Sequence, residues 1–209
     1  MILLYSIIVL AAPFASFIIS VFFNRNKTRI DTAFSIMTGY IFLTELLGTL
    51  LGYFTQYSNF FIYNFYCLFF PLLNFSLYYK LIDSRRMKKR IIFMAYLLVL
   101  VFIADNYFSK NFFTEQQFHT YLISLFFLIY IISFHLLQIM ESDSIQYFNK
   151  SKSFWISLGL LLFSVPFLPV MLTFKFMTVN YEVRNIVTSL LILSLHTCFI
   201  YASLGTKHK

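Results

Sequence analysis

Between short polar breaks the chain runs through seven stretches that are each about as long as a bilayer is thick and almost free of charge: 2–23, 32–53, 60–79, 88–104, 118–139, 153–174 and 184–205. A helix needs roughly 20 apolar residues to cross the hydrocarbon layer, and within that layer each backbone N–H and C=O must find its partner inside the structure. The pattern therefore predicts an all-α polytopic membrane protein, one domain over 1–209 with a transmembrane helix at each of those seven positions. Composition agrees, with 60% hydrophobic and only 11% charged residues, against about 25% charged in soluble domains. Nothing outside the apolar stretches is long enough to enclose a soluble core, which argues against a soluble catalytic domain. The stretch Ala12-Pro13-Phe14-Ala15-Ser16 has the look of a signal-peptidase site, but no cation precedes the run and apolar sequence continues past it; a retained first helix is expected. The fourth stretch is the shortest, with fourteen uncharged residues between Arg90 and Asp105. It spans only if Lys88, Lys89 and Arg90 reach back to the headgroups.

Charge then orients the helices. The breaks after the first, third and fifth stretches, together with the C-terminal tail, hold 13 of the 16 Lys and Arg residues, leaving Lys110, Lys175 and Arg184 for the other side. Cytoplasmic segments accumulate Lys and Arg, so the N-terminus is expected outside and the C-terminus in the cytoplasm. The densest cluster, Arg85, Arg86, Lys88, Lys89 and Arg90, is expected to be a cytoplasmic anchor that holds anionic lipid headgroups. It has neither the stacking aromatics nor the groove-entering module of a nucleic-acid site, so no nucleic-acid partner is expected. Cys67 and Cys198 both fall inside apolar stretches and read as small buried hydrophobes.

Ionisable residues at membrane depth are rare and expensive, so each is a candidate for function. Glu45 lies well inside the second helix, on the face shared by Gly48 and Gly52. That GxxxG pair is expected to admit a neighbouring backbone, and the carboxylate should point at protein. It serves there either as a plain interhelical bonding group or as a working residue in proton relay, ligand contact or switching. His196 sits near the middle of the seventh helix, at a depth within about two turns of Glu45. The sharpest expectation is a hydrogen-bonded Glu45–His196 pair; the alternative is a neutral histidine bonded locally. Asn64 and Asn74 in the third helix are expected to bond between helices, and with Glu45 and His196 they make up the candidate intramembrane polar site. His119, His135 and Gln138 fall near helix ends and read as interfacial. Pro166 and Pro169 are expected to kink the sixth helix.

Several chemistries lack their residues. No His, Cys, Asp or Glu grouping has metal-ligand spacing, so no metal or cofactor is expected. No nucleophile motif or paired aspartates mark a catalytic centre, so an enzyme is not the favoured reading. No charged ring or filter loop marks a channel.

The run Tyr63-Asn64-Phe65-Tyr66, followed by Tyr78-Tyr79-Lys80-Leu81 and preceded by Glu45 to Gly48, resembles small seven-helix membrane proteins of Bacteroidota. The resemblance covers residues 40–90 and departs at Phe70-Pro71, where that family often carries an acidic residue. It implies a bacterial inner membrane, multi-pass location and supplies no activity. Together these observations give the expectation of a non-enzymatic membrane protein, a sensor or accessory subunit acting through a separate protein partner or as a homo-oligomer. The alternative is a small-solute transporter whose central polar site is built around Glu45.

Overall fold

The apolar stretches are helices, and most run past the limits that charge alone suggested. The computed structural model describes residues 2–23, 28–54, 59–109, 112, 113, 115–141, 150–176 and 180–204. The helices are α1 (Ile2–Phe22), α2 (Arg29–Phe54), α3 (Phe60–Leu81), α4 (Arg85–Ser109), α5 (Phe118–Glu141), α6 (Lys152–Phe176) and α7 (Tyr181–Leu204), with no strand among the described residues. Helices α2 to α7 are each long and apolar enough to cross a membrane; in α1 the corresponding stretch is Ile7–Phe22. This is the architecture of a multi-pass membrane protein.

The fourth helix departs most from expectation. It occupies 25 residues rather than 88–104, because charge is accommodated at both of its ends. At the start Ser84 caps it, its Oγ facing the Met87 N–H at 3.4 Å, and the basic cluster forms the first two turns instead of a loop. Lys88 Nζ lies 5.3 Å over the Tyr79 ring, and Arg90 donates to Tyr130 Oη at 2.6 Å. Near the other end Asp105 does not stop the helix, because the beginning of α5 takes its charge. Thr120 donates to Asp105 Oδ2 from both its backbone N–H and its hydroxyl at 3.0 Å, and exposed His119 meets Oδ1 at 3.1 Å. An anion at a helix N-terminus is favoured by the helix dipole.

Six helices close a ring in the order α1, α2, α3, α5, α6, α7 and back to α1, with the most extensive packing between α6 and α7. The remaining helix, α4, lies outside the ring against α3 and α5. Only 11% of its apolar span is buried, against 33–44% for α2, α3 and α5 to α7. Its outward stripe, Phe93, Tyr96, Leu100, Ile103 and Tyr107, is more than half exposed, a surface suited to lipid.

The two ends of the bundle differ in charge. One end gathers the α1–α2, α3–α4 and α5–α6 connections and holds nine of the eleven described Lys and Arg residues; it is the basic end. Arg25, Lys27, Lys110, Lys207 and Lys209 lie outside the described residues. The half nearest the basic end is solidly packed. Phe34, Phe75, Tyr78, Ile132, Ile156 and Phe199 meet there, each at most 2% exposed. Pro166 and Pro169 do not interrupt α6, which is continuous from Lys152 to Phe176. Both are exposed on its outer side while Phe163 and Phe167 turn inward.

Candidate functional site

The opposite half of the ring is hollow. Residues from all six ring helices enclose a central cavity of about 170 Å³: Val9 and Pro13 from α1, Glu45 from α2, Tyr63, Tyr66 and Cys67 from α3, Tyr121 from α5, Phe163 and Phe167 from α6, and Thr188 and His196 from α7. A wider vestibule of about 730 Å³ lies at the non-basic end, formed by the starts of α3, α5 and α7 and the end of α6, and carries Glu115, Lys175 and Arg184. Tyr5, Tyr63, Gln116, Phe167 and Thr188 line both spaces, so the vestibule adjoins the cavity.

Glu45 and His196, which sequence placed at similar depth, share this cavity but do not bond each other. Glu45 Oε2 accepts from Tyr63 Oη at 3.1 Å. The Tyr63 phenol can reach it because Gly48, one turn further along α2, leaves room: a Cβ there would lie 2.7 Å from Tyr63 Oη. The Gly48–Gly52 face therefore receives side chains of α3 rather than its backbone, and Asn59 Nδ2 donates to Gly48 O at 3.0 Å. His196 is held from the other side. Its Nδ1 lies 2.7 Å from Ser16 Oγ, and Ser16 Oγ lies 2.9 Å from the Pro13 carbonyl. A serine hydroxyl has one proton and a carbonyl can only accept. Both contacts are satisfied together when Ser16 donates to Pro13 O and His196 donates from Nδ1–H. That arrangement makes Nε2, on a ring that lines the cavity, a hydrogen-bond acceptor. The expected pair is thus replaced by two anchored acceptors in one chamber, because α1 stands between α2 and α7.

Asn64 and Asn74 do not line the cavity. Asn64 is fully buried and staples the α4–α5 connection: its Nδ2 donates to Phe112 O at 2.7 Å and Glu115 O at 2.9 Å, and its Oδ1 accepts from the Gln117 N–H at 2.9 Å. Its partners are loop backbone, not another helix. Asn64→Ala strips three hydrogen bonds from that connection and is expected to lower stability by about 2 kcal/mol, read as a lower melting temperature in detergent with new protease cleavage between Phe112 and Gln117. Asn74 is turned back on α3, donating to Phe70 O at 2.9 Å, and its Oδ1 is buried without a partner among the described residues. His135 is 5% exposed and buried, not interfacial. Its ring meets Tyr78 edge-on at 5.5 Å, and neither ring nitrogen has a hydrogen-bond partner among the described residues. Tyr78 in turn bonds Ser157 across the bundle at 2.8 Å.

A buried ion pair closes the basic end, and sequence reading did not pick it out. Lys152 Nζ lies 2.6 Å from Asp31 Oδ1, with the two side chains 7% and 3% exposed. Asp31 Oδ2 simultaneously accepts from the Thr28 hydroxyl at 2.7 Å and the Thr28 N–H at 3.1 Å, and Asp31 N–H donates back to Thr28 Oγ1. This is a capping box at the start of α2, and its signature, Thr28 followed three residues later by an acid, is visible in the sequence. Lys152 Nζ also sits 5.0 Å over the Phe34 ring, which ties the pair to the packed half. Among the described residues no three His, Cys, Asp or Glu side chains converge as a metal site would require. Known proteins add no further guide: no family model, no curated protein and no solved structure matches the chain.

Proposed function

We propose that the chain is a seven-span protein of a bacterial inner membrane that binds a small ligand from the outer side and passes occupancy of its central cavity to a separate partner at the cytoplasmic face. In this reading the basic end is cytoplasmic and the vestibule opens outside, in line with the exclusion of Lys and Arg from translocated segments. The exposed Arg85, Arg86, Lys89 and Arg90 then lie at the level of anionic headgroups. The inner-membrane location rests on this asymmetry and on the resemblance over residues 40–90.

One observation carries the ligand-binding reading: a vestibule that adjoins a chamber holding Glu45 and His196, next to a half that is filled by aromatic packing and a buried ion pair. A central chamber at the outer end of the bundle suits a receptor. The same chamber reaching Glu45 also suits a small-solute carrier in one state of an alternating cycle, and this is the second reading.

Accessibility separates a working mouth from a sealed one. With Cys67 and Cys198 replaced by alanine, Thr188→Cys in intact cells is expected to react with a membrane-impermeant thiol reagent added outside, and Ala202→Cys, buried near the basic end, to stay unlabelled. Labelling of Thr188→Cys only after the cells are lysed would reverse the orientation and sink the proposal. Uptake of a bound ligand into proteoliposomes decides for the carrier; binding without uptake decides for the receptor.

A further inference from the structure

The chemistry of the chamber narrows what enters it. Among the described residues that line it, Glu45 is the one carboxylic acid, and the rings of Tyr63, Tyr66, Tyr121, Phe163 and Phe167 form part of the wall. Glu45 Oε2 is taken by Tyr63, and Oε1 has no protein donor among the described residues. His196 offers Nε2 as an acceptor, its Nδ1 being spent on Ser16. The free polar capacity of Glu45 and His196 is therefore to accept hydrogen bonds, in a chamber whose remaining wall is aromatic and aliphatic apart from the tyrosine hydroxyls, Gln116, Thr188 and Cys67. A carboxylate with aromatic faces around it is the arrangement that holds ammonium groups, by a charge-assisted hydrogen bond and by attraction to the ring quadrupoles within about 6 Å. The volume sets the size: about 170 Å³ is close to the ~150 Å³ apolar cavity that takes up benzene in another protein.

Resting on the reading of this cavity as a ligand site, we infer that its ligand is a small organic amine whose ammonium group pairs with Glu45 and whose apolar body fills the aromatic chamber towards His196. The vestibule adds a feature a bare amine would not use. Lys175 and Arg184 stand at the mouth with Glu115, so a ligand with a carboxylate at its other end meets a cation there while its ammonium reaches Glu45. A simple amine and an amino acid with its two charges at opposite ends share the chemistry that Glu45 selects, and they are told apart by the mouth.

The test uses the full chain in lipid nanodiscs, in amine-free buffer, with four probes titrated by calorimetry: benzylamine, benzyl alcohol, benzoate and para-(aminomethyl)benzoate. Benzylamine is expected to bind at least about tenfold more tightly than its uncharged counterpart benzyl alcohol, which is what one charge-assisted bond supplies, and benzoate is expected not to bind. In Glu45→Gln the preference for amine over alcohol is expected to fall to about onefold. Para-(aminomethyl)benzoate ranking with or above benzylamine supports the proposal in its zwitterionic form, and benzylamine alone outranking the alcohol supports it in the plain amine form. Benzyl alcohol or benzoate equalling both amines overturns the ammonium assignment and leaves the cavity a ligand site. No binding by any probe overturns the ligand site and the assignment together. The probe ranking on the unsubstituted chain decides the matter even if Glu45→Gln does not fold.

Discussion

Asp31→Ala is expected to lower the stability of the folded bundle by about 4 kcal/mol, measured by equilibrium unfolding in mixed detergent micelles. Two losses combine. The substitution removes the carboxylate that lies 2.6 Å from the Lys152 ammonium, itself 7% exposed, and removing one partner of a buried pair typically costs about 3–5 kcal/mol. It also deletes the carboxylate that accepts from Thr28 at the start of α2, where loss of a cap costs about 0.5–2 kcal/mol. Relaxation of Lys152 towards headgroups offsets part of the sum, since α6 begins at that residue. Lys152→Met is expected to cost less, about 2–3 kcal/mol, because Asp31 keeps both Thr28 donors. Combining Lys152→Met with Asp31→Asn is expected to recover most of the loss, since the asparagine carbonyl still caps α2 and no buried charge is left unpaired. Strictly additive losses in the double variant would mean that the two residues act separately and that the pair does not lock the basic end.

How much of this could be read from the sequence depended on whether a feature was local. Helix number, all-α class and approximate positions follow from the length of apolar runs, because lipid leaves the backbone few other choices. The ends of α4 did not follow. A charge inside a run looks like a boundary until a partner from elsewhere in the chain takes it up, as Thr120 does for Asp105 and Tyr130 does for Arg90. Glu45 and His196 were recognisable as unusual for their depth, and they do face one chamber. Their partners were not recognisable, since Tyr63 and Ser16 are chosen by which helices adjoin, and ring order is not encoded in periodicity. Asn64 shows the same limit: it looks like interhelical glue, yet it bonds the backbone of residues 112–117. For Asp31 the capping signature was legible, while the 121-residue separation from Lys152 put the ion pair out of reach.

The glycines of the bundle test that lesson in stability. Gly48 and Gly52 carry the GxxxG spacing that sequence associates with close helix contact, yet the tight approach to another helix's backbone is at Gly159. A Cβ built there would lie 2.7 Å from Cys198 Cβ and 3.1 Å from the Leu195 carbonyl oxygen, in the most extensive of the helix pairs, α6 and α7. Neither neighbour is the end of a flexible side chain, so the helices themselves must part. Gly159→Ala is expected to cost about 1–2 kcal/mol even after the gain in helix propensity, and Gly159→Leu about 3 kcal/mol or more. At Gly48 the obstruction is the tip of the Tyr63 ring, Oη at 2.7 Å and Cζ at 3.0 Å, which is a side chain and not a backbone; Gly48→Ala should turn that ring aside, break the 3.1 Å Tyr63–Glu45 bond and cost about 1 kcal/mol. At Gly52 the nearest atom is Asn59 Nδ2 at 3.7 Å, an ordinary contact, so Gly52→Ala should stabilise α2 by about 0.5–1 kcal/mol. Unfolding titrations of the four variants in mixed micelles give the order directly. If Gly52→Ala proved as damaging as Gly159→Ala, the α6–α7 seam would not be the tight contact of the bundle, and the ring order built on it would have to be redrawn.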